Sequence, residues 1–158
     1  MRKFTEVEKA YLAGIIDGEG CLSISKEKSP KGEYKILYKA HLKITNTNQK
    51  LIQWLEKIIG KCYIKTDKGD PKWKLRFSWI MTDRDKMFPL LKEILPYLIL
   101  KKKQAKLILK LRKGKQKKGI AFDVEERKFR EKLYQSMKKL NQKGNKAWQV
   151  FLLFDKLK

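Results

Sequence analysis

The stretch Leu12-Ala13-Gly14-Ile15-Ile16-Asp17-Gly18-Glu19-Gly20 decides how this chain folds. Just before it, Thr5-Glu6-Val7-Glu8 reads as a capping box, in which Thr5 caps the amide of Glu8 and Glu8 reaches back. A helix is therefore expected from about residue 6 to Asp17 or Gly18. Its last two turns go against helix preference. Gly14 costs about 1 kcal/mol relative to Ala in a helix interior. Asp17 and Glu19 sit at the C-terminal end, where the dipole disfavours negative charge. Gly14 and Gly18 share one face with Ala13 and Asp17, and small residues four apart let two backbones come close. The simplest partner is the same helix of a second subunit. Two such helices would bring their acids together, and that repulsion calls for a cation; a divalent metal held by acids suits phosphodiester cleavage. The residues alone leave a second reading open, with Gly18 as a C-cap, Glu19 as a solvated acid and Gly14 as a tight packing spot.

Two strand-like segments follow, about 20–28 and 33–46, joined by Ser29-Pro30-Lys31-Gly32. Asn48 opens a helix whose Leu51, Ile52, Leu55, Ile58 and Ile59 recur at helical spacing, and Gly60 ends it. Two more strands, about 61–67 and 72–81, flank the turn Asp67-Lys68-Gly69-Asp70-Pro71. Thr82-Asp83 starts a helix closed by Pro96, and further helices are expected near 101–113, 123–141 and 146–157. The order α-β-β-α-β-β-α, then extra C-terminal helices, predicts an α+β fold with helices on one face of the sheet. We read residues 1–158 as one domain, with a core of about 5–112 and a helical extension of about 113–158.

Charge narrows the function. Forty Lys and Arg against 17 Asp and Glu give a formal net charge of +23, which a polyanionic partner would relieve. Nucleic acid is the first candidate and an acidic membrane surface the second. Adaptation to heat enriches Glu alongside Lys, and here the acids do not keep pace. Without an apolar run of about 18 residues the chain is expected to be intracellular, in the cytoplasm of a prokaryote or in an organelle. Cys21 and Cys62 are expected to be reduced core thiols.

Period-two alternation assigns residues to the open sheet face. In 72–79, Trp73, Leu75, Phe77 and Trp79 should face the helices, leaving Lys72, Lys74, Arg76 and Ser78 outward. The strand 33–46 presents Lys35, Lys39, His41 and Lys43; the strand 61–67 presents Tyr63, Lys65 and Asp67; the strand 20–28 presents Ser23, Ser25 and Glu27. The face is expected to be almost uniformly basic and to read DNA or RNA rather than be merely solvated, since a twisted sheet of this kind can lie in the DNA major groove. His41 is the only histidine, which excludes a metal site built from histidines.

Residues Leu12 to Gly20 resemble the LAGLIDADG motif of homing endonucleases, with Ile15 and Glu19 as common variants. The resemblance extends through the order of elements to Leu95-Pro96-Tyr97-Leu98-Ile99-Leu100-Lys101-Lys102-Lys103-Gln104-Ala105, a stretch similar to the single-motif members, and covers about residues 5–112. It implies a saddle-like four-stranded antiparallel sheet and a homodimer, with Ala13, Gly14, Asp17 and Gly18 at the interface. It implies Glu19 as the metal-binding acid, assisted by the backbone oxygen of Gly18. Asn46 matches a position that is frequently Gln and helps place the nucleophilic water. Lys101 and Lys50 match basic residues near the scissile phosphate, and Asp17 an acid more structural than catalytic. The implied activity is Mg²⁺-assisted cleavage of both strands of a long pseudo-palindromic DNA site, leaving 3′ overhangs, by an intron-encoded enzyme. The alternative is an RNA maturase, with intron RNA as partner, or a non-cleaving DNA-binding regulator of the same fold.

Overall fold

The computed structural model describes residues 3–28, 36–111 and 123–142. The turn 29–32, Lys35 and the expected helix 146–157 lie outside them. The elements run α1 (Glu6–Glu19), β1 (Gly20–Lys28), β2 (Ile36–Asn46), α2 (Gln49–Ile59), β3 (Tyr63–Asp67), β4 (Arg76–Met81), α3 (Arg84–Ile94), α4 (Lys102–Lys110) and α5 (Val124–Asn141).

The helix starts follow from their caps. The Thr5 hydroxyl accepts from the Glu8 amide at 3.2 Å, and the Glu8 carboxylate accepts from the Thr5 amide at 3.0 Å. Asn48, Asp83 and Asp123 cap α2, α3 and α5 in the same manner. Each such cap is worth about 1 kcal/mol. Gly60 closes α2 at φ 113°, a conformation that favours glycine.

The sheet has the order β1-β2-β4-β3 and is antiparallel throughout. Leu12 and Ile16 of α1, Leu42 and Ile44 of β2, Ile52 and Leu55 of α2, and Leu90 and Ile94 of α3 are all buried around Trp79 of β4. The helices α1, α2 and α3 thus share one face, which leaves the other open.

Two expectations fail on local chemistry. The strand expected at 72–81 begins only at Arg76. Asp70 accepts from the Lys72 amide at 2.8 Å through its side chain, and its carbonyl accepts from the Trp73 amide at 3.0 Å. That turn takes Lys72 and Trp73 out of the ladder, so Trp73 and Leu75 are exposed and Lys72 and Lys74 stand on a loop. Neither Cys is a core thiol: Cys21 is exposed beside buried Leu22, and Cys62 is half-buried.

The fifth helix belongs to the packed core. Leu133, Met137 and Arg130 are buried, and Arg130 pairs with Glu126 at 2.6 Å. Glu131 accepts from the Tyr38 hydroxyl and pairs with Lys26 at 2.8 Å. Lys26, then Tyr38 and Gln135, hold its carboxyl down to about 2. The Asn141 amide donates to the Leu22 carbonyl at 2.8 Å, so α5 runs along the outer edge of β1.

Candidate nucleic-acid interface and the acids beside it

The two acids at the end of α1 are used differently. The Asp17 carboxylate accepts the amides of Ile99 at 2.7 Å, Leu100 at 3.2 Å and Lys101 at 2.8 Å. These amides lead into α4, so a negative charge at one helix C-terminus is balanced by another helix's N-terminus. The Lys101 ammonium donates to the Asp17 carbonyl, placing a cation on the carbonyl end of α1. Glu19 is exposed, and its carboxylate has no hydrogen-bond or ion-pair partner among the described residues.

Other residues gather at the same end of the sheet. Gly20 pairs with Ile44, so Asn46, two residues on, lies beside the arriving end of α1. The Asn46 side-chain Oδ1 accepts from the Asn48 amide at 2.8 Å, leaving its NH₂ group available. Lys50 lies one turn further, exposed in the first turn of α2. Four residues separated in sequence, Glu19, Asn46, Lys50 and Lys101, thus come to one end of the sheet. Among the described residues no three His, Cys, Asp or Glu form a metal-binding group, and of the two acids at the end of α1 only Glu19 is unengaged.

Beside Glu19 runs an exposed stripe. Val7, Ala10, Tyr11, Gly14 and Gly18 are all exposed along one side of α1. A Cβ added to Gly14 or Gly18 would meet nothing within 4 Å in this chain, so intrachain packing does not require glycine at either position. Ala13, expected in this stripe, is fully buried beneath α1, and the Asp17 carboxylate is turned to the α3–α4 connection. The helical period explains Ala13: it shares a face with buried Leu12 and Ile16. Ile99 and Leu100 are 83% and 72% exposed next to Asp17 and extend the apolar rim. Tyr11 packs edge-on against Trp54 at 5.0 Å.

The open sheet face presents Ser23, Ser25 and Glu27 from β1, Lys39, His41 and Lys43 from β2, Arg76 and Ser78 from β4, and Tyr63, Lys65 and Asp67 from β3. Its charge is more structured than the uniformly basic face expected. Lys39 pairs with Glu27 at 2.6 Å, and Arg76 pairs with Asp67 at 2.5 Å while lying over the Trp73 ring at 5.6 Å. Lys43, Lys65 and Tyr63 are exposed, with no ion pair or hydrogen bond from their side chains among the described residues. Ser78 points to this face but is fully buried, its hydroxyl 2.9 Å from that of Thr45, so it offers nothing to an outside ligand. Lys72 and Lys74 are exposed on the loop before β4 and lie beyond the sheet face assigned to them.

The sequence profile of the LAGLIDADG endonuclease family matches residues 12–107. The DNA endonuclease I-CreI of Chlamydomonas reinhardtii is 31% identical over 113 residues, which are 69% of this chain and 64% of that protein. This chain thus spans 64% of the length of that curated relative. Among solved structures, the homing endonuclease I-CvuI in complex with its target in the presence of 2 mM Ca superposes with a TM-score of 0.71 at 21% identity, covering 89% of this chain and 85% of that one. An archaeal intron-encoded homing endonuclease, I-Vdi141I complexed with DNA, superposes with a TM-score of 0.72 at 20% identity, covering 89% and 87%. The profile match spans the glycine-bearing second half of α1, all four strands, α2, α3 and most of α4. The chain belongs to the LAGLIDADG endonuclease family.

Proposed function

We propose that this protein is a site-specific double-strand DNA endonuclease acting as a homodimer, in which the α1 helices of two copies pack along Gly14 and Gly18 and bring two Glu19 carboxylates to the axis. The observation that carries this reading is the division of labour between the acids: Asp17 is fully engaged inside the chain, and Glu19 is bare. An unpaired carboxylate at a helix C-terminus is electrostatically unfavourable unless a cation meets it. The donors present, the Glu19 carboxylate and the Gly18 carbonyl, are hard oxygens suited to a divalent metal such as Mg²⁺. Such an ion, when bound, would neutralise phosphate charge and lower the pKa of a water. The I-CvuI complex in the presence of Ca is compatible with a metal of this class.

The chain's own residues supply the rest. Asn46 offers an NH₂ donor to orient a water or phosphate oxygen beside Glu19. Lys101, held against the Asp17 carbonyl, and Lys50, in the first turn of α2, place positive charge where the scissile phosphate would lie. The open sheet face lies against the major groove, with Lys43, Lys65 and Tyr63 free to contact DNA. One motif per chain gives a two-fold protein, and hence a pseudo-palindromic site. Cutting would leave 3′ overhangs, and the gene would lie within an intron.

The test is cleavage of sites selected from a random duplex library with Mg²⁺. Glu19→Gln should lose cutting by at least about 100-fold and keep DNA affinity within about 1 kcal/mol. Undiminished cutting by this variant contradicts the assignment.

A further inference from the structure

On the open face, Ser25 sits between two partners. Its hydroxyl is 2.9 Å from Glu27 Oε1 and 2.8 Å from His41 Nε2. The other Glu27 oxygen accepts from the Lys39 ammonium at 2.6 Å. Lys39 and Ser25 together hold the Glu27 carboxyl below its usual range, so it is ionised and can only accept. A serine has one hydroxyl proton. It must go to Glu27, because otherwise two acceptors would face each other at 2.9 Å. The Ser25 oxygen therefore accepts from His41, and Nε2 carries the hydrogen. Burial, reinforced by Lys39 and opposed by Glu27, holds the imidazole below its ordinary pKa, which favours the neutral ring. A neutral ring protonated on Nε2 leaves a lone pair on Nδ1. That nitrogen is neither hydrogen-bonded to a described residue nor sealed from solvent.

We infer that His41 is a base-reading residue whose Nδ1 accepts a hydrogen bond from the exocyclic amino group of adenine or cytosine, in an orientation fixed by Ser25, Glu27 and Lys39. This rests on the proposal that the sheet lies in the major groove of DNA. There adenine N6 and cytosine N4 are the amino donors, whereas guanine and thymine present only acceptors at the corresponding places. The neighbouring cations, by contrast, favour guanine edges. A lone acceptor between Lys39 and Lys43 adds a discrimination those lysines cannot make. Glu27, Ser25 and Lys39 then act as positioning residues, because they hold one tautomer while another group makes the contact.

The experiment selects bound and cleaved duplexes from a random library with wild type, His41→Ala, His41→Gln and Ser25→Ala. Wild type should show one symmetric pair of positions enriched in adenine or cytosine. His41→Ala should lose that preference alone, and His41→Gln, which keeps an acceptor, should retain it. Ser25→Ala frees the ring to place its hydrogen on Nδ1 and should admit guanine or thymine there. In the selected site, replacing that adenine by purine-2′-deoxyriboside, or that cytosine by 2-pyrimidinone-2′-deoxyriboside, removes only the amino group and should weaken wild-type binding by about tenfold. The same replacement should leave His41→Ala binding unchanged. The inference is overturned if His41→Ala alters no position while others stay selected, or if the position it alters prefers guanine or thymine. An unchanged preference in Ser25→Ala overturns the positioning role. Recovery of no common sequence by wild type overturns DNA reading itself, and this assignment with it.

Discussion

The end of α1 and the open sheet face treat acidic residues in opposite ways. On the sheet, Glu27 and Asp67 are each matched to a cation, Lys39 and Arg76, at 2.6 and 2.5 Å. At the end of α1, Asp17 is matched to backbone amides, but Glu19, two residues on, has no partner among the described residues. Ion pairs between described residues engage only Glu6, Glu27, Asp67, Glu126 and Glu131 among the acids, so Glu19 is set apart by its place, at the end of α1 beside an exposed glycine-bearing stripe. Glu27 and Asp67 fix cations on the sheet, whereas the Glu19 carboxylate fixes nothing among the described residues.

The contrast can be broken most forcefully at the glycines. Gly14→Leu adds a side chain that meets nothing in its own chain and that a helix prefers to glycine by roughly 1 kcal/mol. The variant should stay folded, with a wild-type far-UV spectrum, while sedimentation shows the dimer lost; a surviving dimer would remove α1 from the interface. Next in size, Asp17→Ala removes the acceptor of three amides and should lower folding stability by about 2–3 kcal/mol, read by urea titration. Glu19→Gln should change it by less than about 0.5 kcal/mol. Equal losses would erase the distinction between the two acids. On the sheet, Lys65→Ala should weaken all DNA sequences alike and reduce the salt slope by about 1. Arg76→Ala, which frees Asp67 and the Trp73 stack, should instead shift preference at specific base pairs. A uniform loss with Arg76→Ala would make it a phosphate contact.

The smallest effect lies far from either region. The Glu131 carboxyl titrates near 2 in the fold against 4.5 when free. A depressed folded value means its stabilisation is present above 4.5 and is lost as pH falls from there toward 2. The side chain is 33% exposed, so the amount is about 1 kcal/mol or less. Glu131→Gln should flatten the acid limb of a stability–pH curve by that much, and an unchanged limb would count against the Tyr38–Glu131–Lys26 cluster.

Much of this architecture was legible because its signals are local. The capping box at Thr5, the Asn48 cap with its apolar period, and Gly60 fix three helix ends through groups a few residues apart. Alternation in β2 sorted Tyr38, Leu42 and Ile44 inward and Lys39, His41 and Lys43 outward. It misread 72–75, because Trp73 and Leu75 keep the period of a strand while Asp70 forms a turn. Ala13 was misplaced because a stripe of small residues does not say which side of a helix the core occupies. Two features had no sequence signal: the docking of α5 along β1, and the Asp17 link to residues 99–101. Both depend on partners more than 80 residues apart. The Ser25–Glu27–His41 chain likewise needed the register that sets Ser25 opposite Lys39 and Ser23 opposite His41.

The central claim is that Glu19 is kept unmatched in order to hold a divalent cation between two copies of the chain. Its most direct measurement is calorimetric titration of Ca²⁺ into the protein bound to its selected DNA site, with no cleavage required. Wild type should take up the ion, Glu19→Gln should not, and Lys65→Ala should bind it as wild type does. Equal Ca²⁺ uptake by Glu19→Gln and wild type would contradict the account.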